Sequence, residues 1–259
     1  MVSEIVKLER EDDIAIITLK RPPFNPLNSQ VFYDFNKALA EIEADSSIKS
    51  VIITGSGEKA FAAGADVNEV ASNTSLEQHE FLKLILSVFN RLENLEKPTI
   101  AAVNGLALGG GCELTLACDF RIAAENAKFG QPEINIGVIP GGGGTQRLPR
   151  LIGLSRAKEM LFLGEAIDAA TAEKYGLANK VVPKEQLLDT AKEFAKKLAS
   201  KPIVAMKILK RTVNAGQNID LLTALNLEID SFIVAFSSDD RVEGINAMLE
   251  KRKPHFTGK

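Results

Sequence analysis

The chain has no tryptophan, two tyrosines, two cysteines and two histidines among 259 residues. Each scarcity closes off a chemistry. His79 and His255 are the whole histidine complement, and neither has a histidine or cysteine at ligand spacing, so no zinc site is expected and a Ser-His-Asp hydrolase fits poorly. No Gly-x-Ser-x-Gly elbow occurs, and no glycine run leads into Gly-Lys-Ser/Thr, which removes the hydrolase elbow and the Walker phosphate loop. Cys112 and Cys118 share one apolar segment. They fall far short of a secreted disulfide framework and point to a reducing compartment.

Charge of one sign is also scarce. Thirty-one basic and 34 acidic residues leave a formal net charge of -3, and no basic stripe forms, so a nucleic-acid partner is not expected. No apolar run reaches membrane-spanning length, so no membrane partner is expected either. The stretch from Met1 to Asp13 mixes acids with bases and has no apolar signal core, and Phe256-Thr-Gly-Lys259 is no peroxisomal address. A soluble, cytoplasmic protein is the expectation.

What remains is an ordinary globular composition, 45% hydrophobic and 25% charged. Short β-rich runs at Ile14 to Leu19, Ser50 to Thr54, Thr99 to Val103 and Phe120 to Ala124 predict strands. Between them, Ser29 to Glu43 and His79 to Leu95 carry apolar residues at helical spacing. Alternating strand and helix signals predict an α/β fold. Beyond Ser155 only Lys180-Val-Val182 reads as a strand. Helices are predicted over Lys184 to Ala199, Pro202 to Asn214, Ile219 to Phe236 and Ser238 to Lys251. The chain therefore divides into a core, 1–195, and a helical region, 196–259, without a flexible linker. The apolar stripe Leu221, Leu222, Leu225, Leu227, Ile229, Phe232, Ile233, Val234 and Phe236 is read as intramolecular packing, with a subunit interface as the alternative.

Gly55-Ser-Gly57-Glu-Lys-Ala60 formally matches a dinucleotide fingerprint. The small residues that follow break the required crossover helix, so a plain turn is the better reading. The run Lys59 to Gly64 has neither helical nor strand periodicity and is read as a tight connection. Asp66 then stands as an N-cap, with Glu69 completing a capping box and the Ala65 amide facing outward.

Two glutamates adjoin glycine-rich backbone. Glu113 follows Gly109-Gly-Gly111 in a strand, Asn104-Gly105 turn and helix, while Glu133 precedes Pro140 and Gly141 to Gly144. A first-turn glutamate can simply favour the helix dipole. Three consecutive glycines weaken that reading, because glycine costs entropy at a helix start unless close backbone approach is needed. Unshielded amides such as that of Gly110 can stabilise an oxyanion beside carboxylate acid/base groups.

Ala62-Ala-Gly-Ala-Asp66, Asn104-Gly105, Leu108-Gly-Gly-Gly-Cys-Glu113, Phe129-Gly-Gln-Pro-Glu133 and Ile139-Pro-Gly-Gly-Gly-Gly-Thr-Gln-Arg147-Leu together resemble the enoyl-CoA hydratase (crotonase) family over nearly the whole chain. The resemblance implies a spiral of ββα units with a C-terminal helical trimerisation region, assembled into a homohexamer of two trimers. It implies reversible hydration of 2-trans-enoyl-CoA to 3-hydroxyacyl-CoA on short acyl chains. No cofactor is involved, since CoA is part of the substrate. By the same resemblance the amides of Ala65 and Gly110 form the oxyanion hole, and Glu113 and Glu133 hold the reacting water. Gly141 lies near that water, Ala63 and Asp66 belong to the substrate-binding loop, and Lys251 approaches the nucleotide. For Lys251 a solvated basic tail is the alternative. Met248 departs from relatives that carry an aromatic near the adenine. A crotonase-fold isomerase or decarboxylase does not call for both glutamates. An RNA-binding relative calls for a basic surface that this acidic chain lacks.

Overall fold

Val/Ile-rich segments pair into the larger of two sheets because their apolar residues need cover on both faces. The computed structural model describes residues 5–259; the first four residues, part of the N-terminal stretch and of the expected 1–195 core, lie outside the described residues. Ten strands are formed among these: β1 (Val6–Glu11), β2 (Ile14–Leu19), β3 (Ser50–Gly55), β4 (Ala60–Ala63), β5 (Thr99–Val103), β6 (Leu106–Leu108), β7 (Phe120–Ala124), β8 (Lys128–Gly130), β9 (Ala166–Asp168) and β10 (Lys180–Val182). One sheet has the order β1-β2-β3-β5-β7-β10 and the other β4-β6-β8-β9. Apart from the antiparallel edge pairs β1/β2 and β8/β9, all pairings are parallel.

The topology is a repeating ββα step. β3, β5 and β7 lie side by side in the larger sheet, and the strand after each (β4, β6, β8) lies in the smaller one. Helical segments follow each pair: Val67–Ser72 and Ser75–Glu93, then Gly110–Leu116, then the 3-10 turn Pro132–Ile136 with Gly144–Ile152. This is the crotonase-type α/β spiral that the resemblance implied. On one side the sheets bury Phe35, Phe61, Phe89 and Phe129 in the main core, with Phe32 edge-on to Phe81 and Phe89 at 5.8 and 5.7 Å. On the other, helix Leu187–Ala199 lays Leu187, Ala191 and Ala195 against Ile14, Ile52, Ile100 and Ile122. The boundary expected at 195/196 falls inside this helix.

Strands β2, β5, β7 and β10 have the predicted limits, and β3 extends one residue further. Lys59 to Gly64 is not a mere connection: Ala60–Ala63 pairs with β6 as the first strand of the smaller sheet. It is too short to display a period. The segment after β3 is a turn leading into that strand, so no dinucleotide crossover helix exists. Helix Ser75–Glu93 starts four residues earlier than predicted, because Thr74 and Glu77 form a capping box in a polar stretch without apolar periodicity. The capping box expected at Asp66 and Glu69 does not form. Asp66 caps the amide of Asn68 at 3.2 Å, while Glu69 accepts from the Ser29 amide at 3.0 Å and from its hydroxyl.

The reading of the C-terminal stripe as intramolecular packing is also corrected. In helix Leu221–Phe236 no residue is buried, and Leu221, Leu222, Ile229, Phe232 and Ile233 are all exposed by more than 60%. That helix packs mainly on Ile203–Gly216, which itself buries nothing. No single helix among the described residues is long and apolar enough to cross a membrane.

Candidate active site

β6 delivers the chain to Gly109, whose φ of 51° and ψ of -124° suit glycine. A Cβ there would stand 3.0 Å from Glu133 Oε1. At Gly111 a Cβ would reach 1.9 Å from the Ala62 carbonyl oxygen, so helix Gly110–Leu116 rests its first turn directly on the β4 backbone. Close approach therefore explains Gly111 and backbone conformation explains Gly109, while a Cβ at Gly110 would meet only ordinary contacts, the nearest at 3.5 Å from Leu27 Cδ1. The close approach at Gly111 brings the start of the helix to the end of β4.

The two expected oxyanion donors converge at that junction. Leu27 donates its amide to Gly64 O at 2.9 Å and accepts from the Asp66 amide at 2.8 Å, which pins the residues on either side of Ala65. The Ala65 amide is left between them, and a Cβ at Gly110 would lie 3.9 Å from its nitrogen. Neither the Ala65 nor the Gly110 amide donates to a protein group among the described residues. Ala63 ends β4 with its amide on Phe24 O at 2.9 Å. Asp66 pairs with Arg21 at 2.8 Å, and that hydrogen bond holds its carboxyl below the usual range.

Glu113 lies in the first turn of its helix and is 3% exposed. Its Oε1 accepts from the amides of Gly142 and Gly144, both at 2.8 Å. Burial raises its pKa, while those amides and the Arg147 charge oppose the rise by favouring the carboxylate. Glu133, on the 3-10 turn, is pushed up to about 7. Burial is the main cause; its own backbone amide opposes it and the negative charge of Glu113 adds to it. The pair therefore combines a buried carboxyl group held by two backbone donors with a second one poised to exchange a proton near neutrality.

Sequence reasoning passed over four residues here. Gln131 is fully buried and, with its amide nitrogen turned toward Glu133, donates to Oε1 at 3.0 Å and Oε2 at 3.2 Å. Gly142 and Gly144 hold Glu113, whereas Gly141, the glycine singled out beforehand, sits with its α-carbon facing Leu82. Arg147 ties the same loop to Glu93. The signal available was a buried-type position for a polar residue next to Pro-Glu, and a glycine run longer than a turn requires. Lys251 is not brought to this site by any hydrogen bond or ion pair among the described residues; it stands exposed with φ 54° just past helix Asp239–Leu249.

The chain matches the enoyl-CoA hydratase/isomerase family over residues 9–259. It is 48% identical over 249 residues to a short-chain-enoyl-CoA hydratase of Clostridium acetobutylicum, covering 96% of this chain and 95% of that one. It is 45% identical to a crotonyl-CoA hydratase of Syntrophomonas wolfei, with both chains covered completely. The crystal structure of an enoyl-CoA hydratase from Bacillus anthracis superposes with a TM-score of 0.95 at 40% identity, covering 98% of this chain and all of the other.

Proposed function

Because the chain belongs to the enoyl-CoA hydratase/isomerase family, we infer that it is a hydro-lyase that reversibly adds water to 2-trans-enoyl-CoA thioesters of short chain length, giving 3-hydroxyacyl-CoA. The observation that carries this reading is the pairing of two unlike carboxyl groups beside two converging, unpartnered amides. Relatives whose names specify short-chain and crotonyl substrates support the chain length.

The thioester oxygen sits between the Ala65 and Gly110 amides. As the water oxygen bonds to C3, the electron pair of the C2–C3 double bond moves toward C2 and the thioester. The charge that accumulates on the thioester oxygen is stabilised by those amides, each worth roughly 3 kcal/mol in the transition state. Glu113 accepts the proton lost by water. Glu133 donates its carboxyl proton to C2, with Gln131 fixing the orientation of its oxygens. Transfer of a proton from Glu113 back to Glu133 through the next water resets the pair. Positioned groups of this kind contribute factors of roughly 10²–10⁴ each. Double-bond isomerisation uses the same oxyanion donors but needs no second carboxylate.

No redox step occurs and water is activated by carboxylates, so the reaction calls for no cofactor or metal. CoA arrives with the substrate, and the exposed Lys251 is available to its phosphates. The exposed apolar helices at the C-terminal end support association with further copies, which the family resemblance takes to a homohexamer built as a dimer of trimers. Two buried free thiols, each pushed up to about 12 by burial, suit a reducing compartment such as the cytoplasm. Loss of the conjugated enoyl-thioester absorbance of crotonyl-CoA tests the reading, run beside longer enoyl-CoAs and Glu133→Gln. Fast, glutamate-dependent loss is expected, fastest for crotonyl-CoA. No loss with any enoyl-CoA would contradict the reading.

A further inference from the structure

The loop that grips Glu113 is glycine from residue 141 to residue 144, and such backbone holds no dihedral on its own. Gly142 is used on both sides: its N–H donates to Glu113 Oε1, and its C=O accepts from Arg147 Nη1 at 3.0 Å. The rest of the Arg147 guanidinium is anchored elsewhere. Nε and Nη2 donate to Glu93 Oε2 at 3.2 and 2.7 Å, and Nη2 also donates to Asn90 Oδ1 at 2.7 Å. A Cβ at Gly143, where φ is 107°, would stand 2.1 Å from Nη1, so the guanidinium lies against bare backbone. The Arg147 side chain is only 13% exposed.

We propose that Arg147 is a positioning residue for the catalytic carboxylate Glu113, locking Gly142 so that its amide stays aimed at Oε1 and lending the site a fixed positive charge. The planar fork is what the task needs, since one group must reach a carbonyl and a carboxylate at once. Arg147 also favours the ionised form of Glu113. The other titratable groups around Glu113 are Glu133 on the 3-10 turn and Cys112 on its own helix, and the negative charge of Glu113 raises the pKa of both. Glu93 partly offsets the guanidinium, and its backbone carbonyl also accepts from Asn214 at 3.1 Å, so helix Ile203–Gly216 fastens to the same anchor. The proposal rests on Glu113 being the base of the proposed hydration.

The decisive experiment is an infrared titration of the Glu113 carboxyl, its band identified by subtraction of Glu113→Gln, in wild type, Arg147→Met and Arg147→Lys. Proton affinity is expected to rise about tenfold in Arg147→Met, one pKa unit, and to return most of the way in Arg147→Lys. With crotonyl-CoA, kcat of Arg147→Met is expected to fall roughly 10- to 100-fold, as for loss of a charged hydrogen bond, with KM within about threefold. Arg147→Lys recovers part of that loss. An unmoved titration in folded Arg147→Met would overturn the proposal. If Arg147→Met does not fold, Glu93→Gln decides: kcat lowered several-fold at constant KM supports the lock, and unchanged kcat refutes it. Wild-type protein inactive on every enoyl-CoA would instead sink the hydratase reading, and the titration would still judge Arg147.

Discussion

Glu113 and Glu133 are the same residue in two environments, and the proposed roles follow that difference. Two amides at 2.8 Å oppose the burial that raises Glu113, whereas burial lifts Glu133, whose oxygens face the Gln131 amide, to about 7. Acting as the acid in hydration, Glu133 must hold its proton, so kcat/KM for hydration is expected to fall as pH rises through about 7. Glu133→Gln is expected to lower turnover by roughly 10²–10⁴ and to erase that limb. The linkage runs the same way for stability. A folded-state pKa above the unfolded value penalises the fold progressively as pH climbs from about 4.5 to about 7. Glu133→Gln is therefore expected to melt at or above the wild-type temperature at pH 8, which calorimetry checks. Both glutamates were legible because glycine beside a carboxylate is an unusual expense of backbone order. Gln131 and the amides of Gly142 and Gly144 were not legible, because which glycine faces a carboxylate depends on loop dihedrals such as the positive φ of Gly143.

At the scale of elements, the site is a product of how closely one helix approaches one strand. Gly111 allows the helix Gly110–Leu116 to sit on Ala62 of β4, and that contact brings together the two amides proposed to hold the oxyanion. Gly111→Ala places a methyl against backbone that cannot yield as a side chain can. It is expected to destabilise the fold by roughly 1–3 kcal/mol in urea unfolding and to lower kcat at pH 7 by at least tenfold; a stable, fully active variant would refute this coupling. Long apolar strands such as β2, β5 and β7 could be read from the sequence because their burial demands continuous apolar residues. The smaller sheet could not. β4, β6, β8 and β9 have three or four residues each and contain glycine, alanine or charge, so neither a period nor a propensity distinguishes them. β1, an edge strand that alternates apolar with charged residues, was lost in what looked like a polar terminus.

At the scale of the whole molecule, the C-terminal helices are unfinished in a single chain. Ile229 and Phe232 are 62% and 61% exposed on a helix with no buried residue, too much apolar surface to leave in water. Sequence could show the stripe but not its cover, because a helix face buried within a chain and one buried between chains carry the same pattern. Phe232→Glu is expected to shift the sedimenting species from hexamer toward smaller forms, and an unchanged sedimentation profile would contradict the proposed assembly. All three scales meet in one reaction, the addition of a single water across an enoyl thioester. The most direct measurement is the mass of the product formed from crotonyl-CoA in heavy-oxygen water. The account predicts 3-hydroxybutyryl-CoA carrying the heavy oxygen at C3, with formation suppressed in both Glu113→Gln and Glu133→Gln. A product of unchanged mass, or free acid released from CoA, would contradict it.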